Sequence, residues 1–116
     1  KLILNLMHEN EFANSGTQGI KLGRGMLGDW YEAGLAGDKR ALEKVARVTK
    51  RPQMELYDVL KDPFEEYNII GKPGSKKIVD ELLPSLIAWM DDQGDKGAQT
   101  ELEACDHTTA SYKSCP

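Results

Sequence analysis

The sequence is poor in the residues that usually carry chemistry. It holds two cysteines and two histidines among 116 residues. Cys105 and Cys115 both lie in the polar C-terminal stretch. Their spacing fits neither a zinc knuckle nor a CxxC redox pair. Either they close a small loop by disulfide, which implies an oxidising compartment, or they stay as two thiols. Long apolar runs are missing too. The longest, Leu86 to Met90, falls far short of the roughly 20 residues that cross a bilayer, so no membrane span is expected. The opening Lys1-Leu2-Ile3-Leu4-Asn5-Leu6 has no Met and no small-residue cleavage site, so it does not read as a secretory signal. It reads as the middle of a strand, and the expectation is a piece of something longer. Leu, Ile, Val and Phe supply 25 of the 116 residues, near the lower limit for a folded globule. One small domain with a thin core is expected.

Charge is present but uneven. The net charge is -4. Residues 1–52 hold nine Lys/Arg against six Asp/Glu, and residues 53–116 hold six against thirteen. Overall acidity argues against nucleic acid as a partner. The basic half can still meet an anionic one.

Hydrophobic periodicity predicts an α+β chain. Leu2, Leu4 and Leu6 alternate with Ile3, Asn5 and Met7, a strand apolar on both faces. Residues 8–28 read as a long loop with a short strand near Ile20–Leu22, and a loop of that length is usually functional or mobile. Asp29 and Glu32 form a capping-box pair that would start a helix at Trp30, ended by Gly37. Asp38 caps a second helix, 39–50, with Leu42, Val45, Ala46 and Thr49 on one face. Pro52 closes it. Residues 54–60 predict a second strand, and Asp62-Pro63 a turn. Ser75 caps a helix to about Gln93, stopped by Gly94 and kinked at Pro84. Its apolar rows must bury against a sheet. Residues 1–94 form the domain, and residues 95–116 a polar tail. The expected architecture is a sheet packed by an amphipathic C-terminal helix. A long loop and a helix pair are inserted between its strands.

Candidate chemistry is sparse. His8 follows a strand at the head of the long loop and can act as ligand or proton carrier, although a solvated loop histidine is the commoner case. Asp91-Asp92-Gln93-Gly94-Asp95 lacks the alternating array of a calcium loop. Gly23-Arg24-Gly25-Met26-Leu27-Gly28 matches GxGxxG by letter but lacks its βαβ setting, so it reads as loop glycine. Arg40, Lys44 and Arg47, with Lys39, Lys50 and Arg51, form the one basic helix. It can contact phosphate or sulfate groups, against the plainer reading of a solvated face.

One stretch is more specific. Arg51-Pro52-Gln53-Met54-Glu55-Leu56-Tyr57-Asp58-Val59-Leu60-Lys61-Asp62-Pro63-Phe64-Glu65-Glu66-Tyr67-Asn68-Ile69 resembles the C-terminal signature of the sulfatase family. Agreement falls on Glu55, Leu56, Tyr57, Asp58, Asp62, Pro63, Glu65 and Asn68. Lys1 to Leu6 and the helix ending at Asp95 are also similar to that family. The long loop and the Trp-containing helix pair resemble its heparan N-sulfatase (N-sulfoglucosamine sulfohydrolase) branch, where a tail cysteine pair also occurs. That likeness favours a disulfide between Cys105 and Cys115.

The resemblance implies an enzyme using formylglycine, made from Cys or Ser in C/S-x-P-x-R, beside a calcium ion. No such motif occurs in this sequence, so nucleophile and metal ligands would belong to a parent chain, and no catalytic residue is carried over. The implied role is a C-terminal subdomain, a small antiparallel sheet packed by a helix, docked on the sulfatase catalytic domain of an exported enzyme (periplasmic, lysosomal or extracellular). Its parent would hydrolyse sulfate esters or sulfamates on a sulfated glycan. His8, Asn10 and Asn14 are the candidate substrate rim. The rival expectations are an anionic-polymer binding module on the basic helix, and a structural piece whose exposed strand edge makes a homodimer.

Overall fold

The structure is a computed structural model, and it describes residues 1–12, 17, 19, 20 and 23–104. In chain order it forms β1 (Leu2–Leu4), α1 (Gly25–Leu35), α2 (Lys39–Thr49), β2 (Met54–Leu56), α3 (Ser75–Asp92) and α4 (Ala98–Glu103). The class is α+β, as expected, with the helix pair inserted between the two strands in sequence. No described helix is long and apolar enough to cross a membrane. The chain divides into two compact units. One joins Lys1–Leu6 to the chain from Met54 onward, and the other is Met7–Gln53.

In the first unit, β1 and β2 pair antiparallel, with Leu2 opposite Leu56, Ile3 opposite Glu55 and Leu4 opposite Met54. Both strands are shorter than predicted. Beyond Leu4 the chain enters turns. Beyond Leu56 one more rung forms, where Tyr57 N–H donates to Lys1 C=O (2.9 Å). The chain then bends, because Asp58 C=O accepts from Lys61 and Asp62 N–H (3.0 and 2.8 Å). Leu56 is the one large side chain wholly out of water among the described residues, at 1% exposure. The outer edge of β2 is closed by Asn68, whose Oδ1 accepts from Leu56 N–H (3.0 Å) and Ile70 N–H (3.0 Å). Ile69 N–H completes that edge on Leu56 C=O (2.9 Å). Backbone groups that β1 cannot reach thus keep partners.

α3 starts one residue from where its capping was expected. Gly74, at φ 85°, is the N-cap, and Ser75 Oγ instead donates to Lys72 C=O (2.8 Å). The helix is one continuous element through Pro84. Only one of its apolar rows packs inward. Met90 is buried, and Val79, Leu83 and Leu86 on the same face are half-buried. Ile78, Leu82 and Trp89 form the next row and remain exposed. A two-stranded sheet is too narrow to cover both. Residues 98–103, expected as polar tail, form α4.

In the second unit α1 packs on α2. α1 begins at Gly25, five residues before the predicted start, so Asp29 and Glu32 are helix interior and not a capping pair. The glycine stretch read as loop opens this helix. Gly23 and Gly25 take left-handed φ of 62° and 69°, a conformation glycine adopts without a Cβ penalty. Gly28 lies so close to Gly23 that a Cβ there would sit 2.5 Å from its carbonyl carbon. Gly34 likewise meets Leu42, with 2.3 Å from a built Cβ to Leu42 Cγ. Asp38 caps α2 as expected, accepting from Ala41 N–H (3.1 Å). Ala41 and Val45 are the buried residues of α2. Ile20, expected in a strand, is buried and closes a turn on Thr17 C=O (3.1 Å). The other two residues of that predicted strand lie outside the described residues.

Candidate functional site

The signature stretch builds a polar core and a shaped turn. Glu55 and Tyr57 are two apart on β2 and its extension, so they share a face. Both are buried. Tyr57 O–H donates to Glu55 Oε2, and Asn5 Nδ2 donates to Glu55 Oε1 (2.8 Å). A carboxylate out of water is tolerated only when its oxygens are paired, and both are. Among the described residues no buried side-chain nitrogen or oxygen lacks a partner.

The turn that follows is organised by Asp62. Its Oδ1 accepts from Glu66 N–H (3.0 Å) and its Oδ2 from Tyr67 N–H (2.7 Å). Glu65 is held at φ 53°, a left-handed conformation that side chains rarely adopt. Its carboxylate binds Lys1 Nζ at 2.9 Å. Lys61 Nζ lies 3.1 Å from Asp58 Oδ2, and the hydrogen bond from Lys61 holds the Asp58 carboxyl below the usual aspartate range. The turn displays Val59, Leu60, Phe64 and Tyr67 to solvent. Sequence periodicity ran the strand through Val59 and Leu60, which hid this arrangement. The paired Asp62-Pro63 was the available signal.

His8 is half-buried in a turn. Asn10 is exposed, its N–H donating to Met7 C=O (3.0 Å). Asn14, Cys105 and Cys115 lie outside the described residues. On α2, Arg40 and Arg47 are exposed and Lys44 is half-buried. Lys44 and Arg47 each have interaction partners. Among the described residues no group of three or more His, Cys, Asp or Glu side chains can hold a metal ion.

The chain is 40% identical over 55 residues to an ulvan-active sulfatase of Formosa agariphila. The chain carries a sulfatase-related region. The match covers 47% of the chain and 11% of that protein, so the chain spans about a tenth of the length of the curated relative it matches. No protein-family model matches the chain, and no solved structure does.

Proposed function

We propose that this chain is a supporting, non-catalytic part of a sulfatase whose full-length form hydrolyses sulfate esters or sulfamates on a sulfated glycan. The observation that carries the reading is the 55-residue likeness to a sulfatase. The buried Glu55–Tyr57–Asn5 network supports it, because it gives the signature a structural task and uses its polar groups internally. The name of the relative makes ulvan the first polymer to try on the parent enzyme. On the same reading the parent is exported and supplies formylglycine and calcium from its own residues. It belongs to the heparan N-sulfatase branch, and its catalytic domain is the partner of this chain. His8, Asn10 and Asn14 contribute to the substrate rim, Arg40, Lys44 and Arg47 contact anionic groups, and Cys105 pairs with Cys115.

The purified chain is expected to release no sulfate from a chromogenic aryl sulfate, with or without calcium. The longer polypeptide containing it is expected to do so, with a C/S-x-P-x-R motif outside these residues. Turnover by the chain alone would overturn the reading, as would a longer polypeptide without that motif.

A further inference from the structure

We infer that the outer apolar row of α3 is a self-association surface, on which a second copy of this chain lays its own α3 antiparallel. The inference stands on α3 alone and goes beyond the sulfatase reading without depending on it. Ile78, Leu82 and Trp89 are 41%, 38% and 60% exposed. With Ser85 they fall at i, i+4, i+7 and i+11 of one continuous helix. That is the narrow spacing of a helix–helix seam, because each member returns to the same side of the helix. The row that ends at the buried Met90 lies on the neighbouring side. Once α3 has packed on β1, the seam is left in water.

The middle of the seam is fit to be covered. Ser85 is the small residue among larger ones, so two helices can approach closely there. Its Oγ donates to Glu81 C=O (3.4 Å) within the same helix. A covering helix therefore does not orphan that hydroxyl, and the cost of burying an unpaired polar group is avoided. The seam is carried on a preformed helix, so little further ordering is needed on association.

Charge names the occupant and its direction. Lys77 and Asp91 stand on one flank of the seam, at opposite ends of α3. Two copies run antiparallel about the Leu82–Ser85 step set Ile78 against Trp89, Leu82 against Ser85, and Lys77 against Asp91. The two-fold axis makes each of these pairs twice. A parallel pair would set lysine on lysine and aspartate on aspartate. Antiparallel helices also bring each positive N-terminal end beside a negative C-terminal end. Lys72 and Lys76 at the first end, and Asp92 and Asp95 at the second, add to the same complementarity. Asp80 is already paired with Lys76 (2.6 Å). Glu81 lies nearer the axis and opposes the pairing, a cost that salt screens. A helix of another protein would need both this seam and the reversed charge order. A second copy supplies both by symmetry.

The test is sedimentation velocity of this chain over a rising concentration series at low salt. A reductant is present, so that Cys105 and Cys115 cannot link copies covalently. A monomer–dimer equilibrium is expected. Leu82→Gln with Trp89→Gln should raise the dimer dissociation constant by about tenfold or more. Far-UV circular dichroism of the dilute double variant should stay unchanged, because both side chains keep much of their surface in water in the monomer. Lys77→Glu alone and Asp91→Lys alone should each weaken the dimer by about threefold or more, and the two together should restore it. A chain that stays monomeric at every concentration overturns the inference. So does a dimer indifferent to Leu82 and Trp89, which assigns association to another surface such as a strand edge. Single charge variants that leave the constant unchanged mean a parallel pair and reject the arrangement. If the glutamine variant loses its dichroism, the exposed charge variants decide the matter by themselves. None of these outcomes touches the sulfatase reading.

Discussion

Gly28 and Asn68 show how much of this structure rests on single positions. The first turn of α1 closes onto the backbone of Gly23, which cannot move aside as a flexible side chain can. Gly28→Ala gains helix propensity, but an overpacking cost of about 1–3 kcal/mol outweighs that gain. A net fall in thermal stability is expected by circular dichroism. Asn68→Ala removes one oxygen that serves two backbone N–H groups. The expected loss is about 1–3 kcal/mol in a urea melt, because each N–H must then find water or go unpaired. Asn68→Asp keeps an acceptor there and should lose less.

Asp58 gives a charge prediction at the same scale. Its carboxyl is lowered first by the hydrogen bond from Lys61 and then by the charge of that residue. A depressed folded-state value means the pair stabilises the fold above the unfolded titration point. That contribution disappears as pH falls through the lowered folded value. The pair is exposed and screened by salt, so the effect on overall stability is small. The direct readout is carbon-detected NMR titration of the Asp58 carboxyl. Its midpoint should lie below that of an ordinary aspartate and rise in Lys61→Ala. A midpoint insensitive to Lys61 would refute the assignment.

Among the elements, α3 is the most informative. Its apolar residues span two neighbouring rows, and the sheet of β1 and β2 is wide enough for one. Met90→Ala should cost about 2–5 kcal/mol, the range for a truncated buried methionine. Leu82→Gln, on the outer row, should cost less than about 1 kcal/mol, because that side chain keeps much of its surface in water. Parallel urea melts of the two variants test whether the rows differ as the burial says. α2 offers a simpler comparison. Its Asp38 cap was legible because that signal is local, but of the predicted face Leu42, Val45, Ala46 and Thr49 only Val45 is buried, with Ala41 beside it. The start of α1 was not legible, because it is set by the left-handed Gly23 and Gly25 and by close packing at Gly28.

For the whole molecule, the consequence is discontinuity. The first unit is made from the stretches on either side of the segment Met7–Gln53, which forms the other. β1 reaches β2 only after that segment is looped out, at an entropic cost that grows slowly with its length. Removing Lys1–Leu6 deletes β1, the Lys1 rung on Tyr57, the Lys1–Glu65 pair and the Asn5 bond to Glu55. The truncated chain is expected to lose slow amide exchange at Glu55 and Tyr57 and to shed protection along α3. Protection of α2 should persist, since its cap and packing lie within the other unit. Protection lost equally throughout would show that the two units unfold as one.

Sequence alone determined what local rules can encode: the mixed class, the helix capped by Asp38, the breaker at Gly94, and the 51–69 block that resembles sulfatases. Each depends on residues within a few positions of one another. Tertiary structure decided where the strands stop and which row of α3 is covered. It also turned Glu55, Tyr57 and Asn5 into one buried network and left Leu60, Phe64 and Tyr67 facing water. Those outcomes depend on which distant backbone group or side chain arrives to satisfy or cover a residue, and no local pattern carries that information.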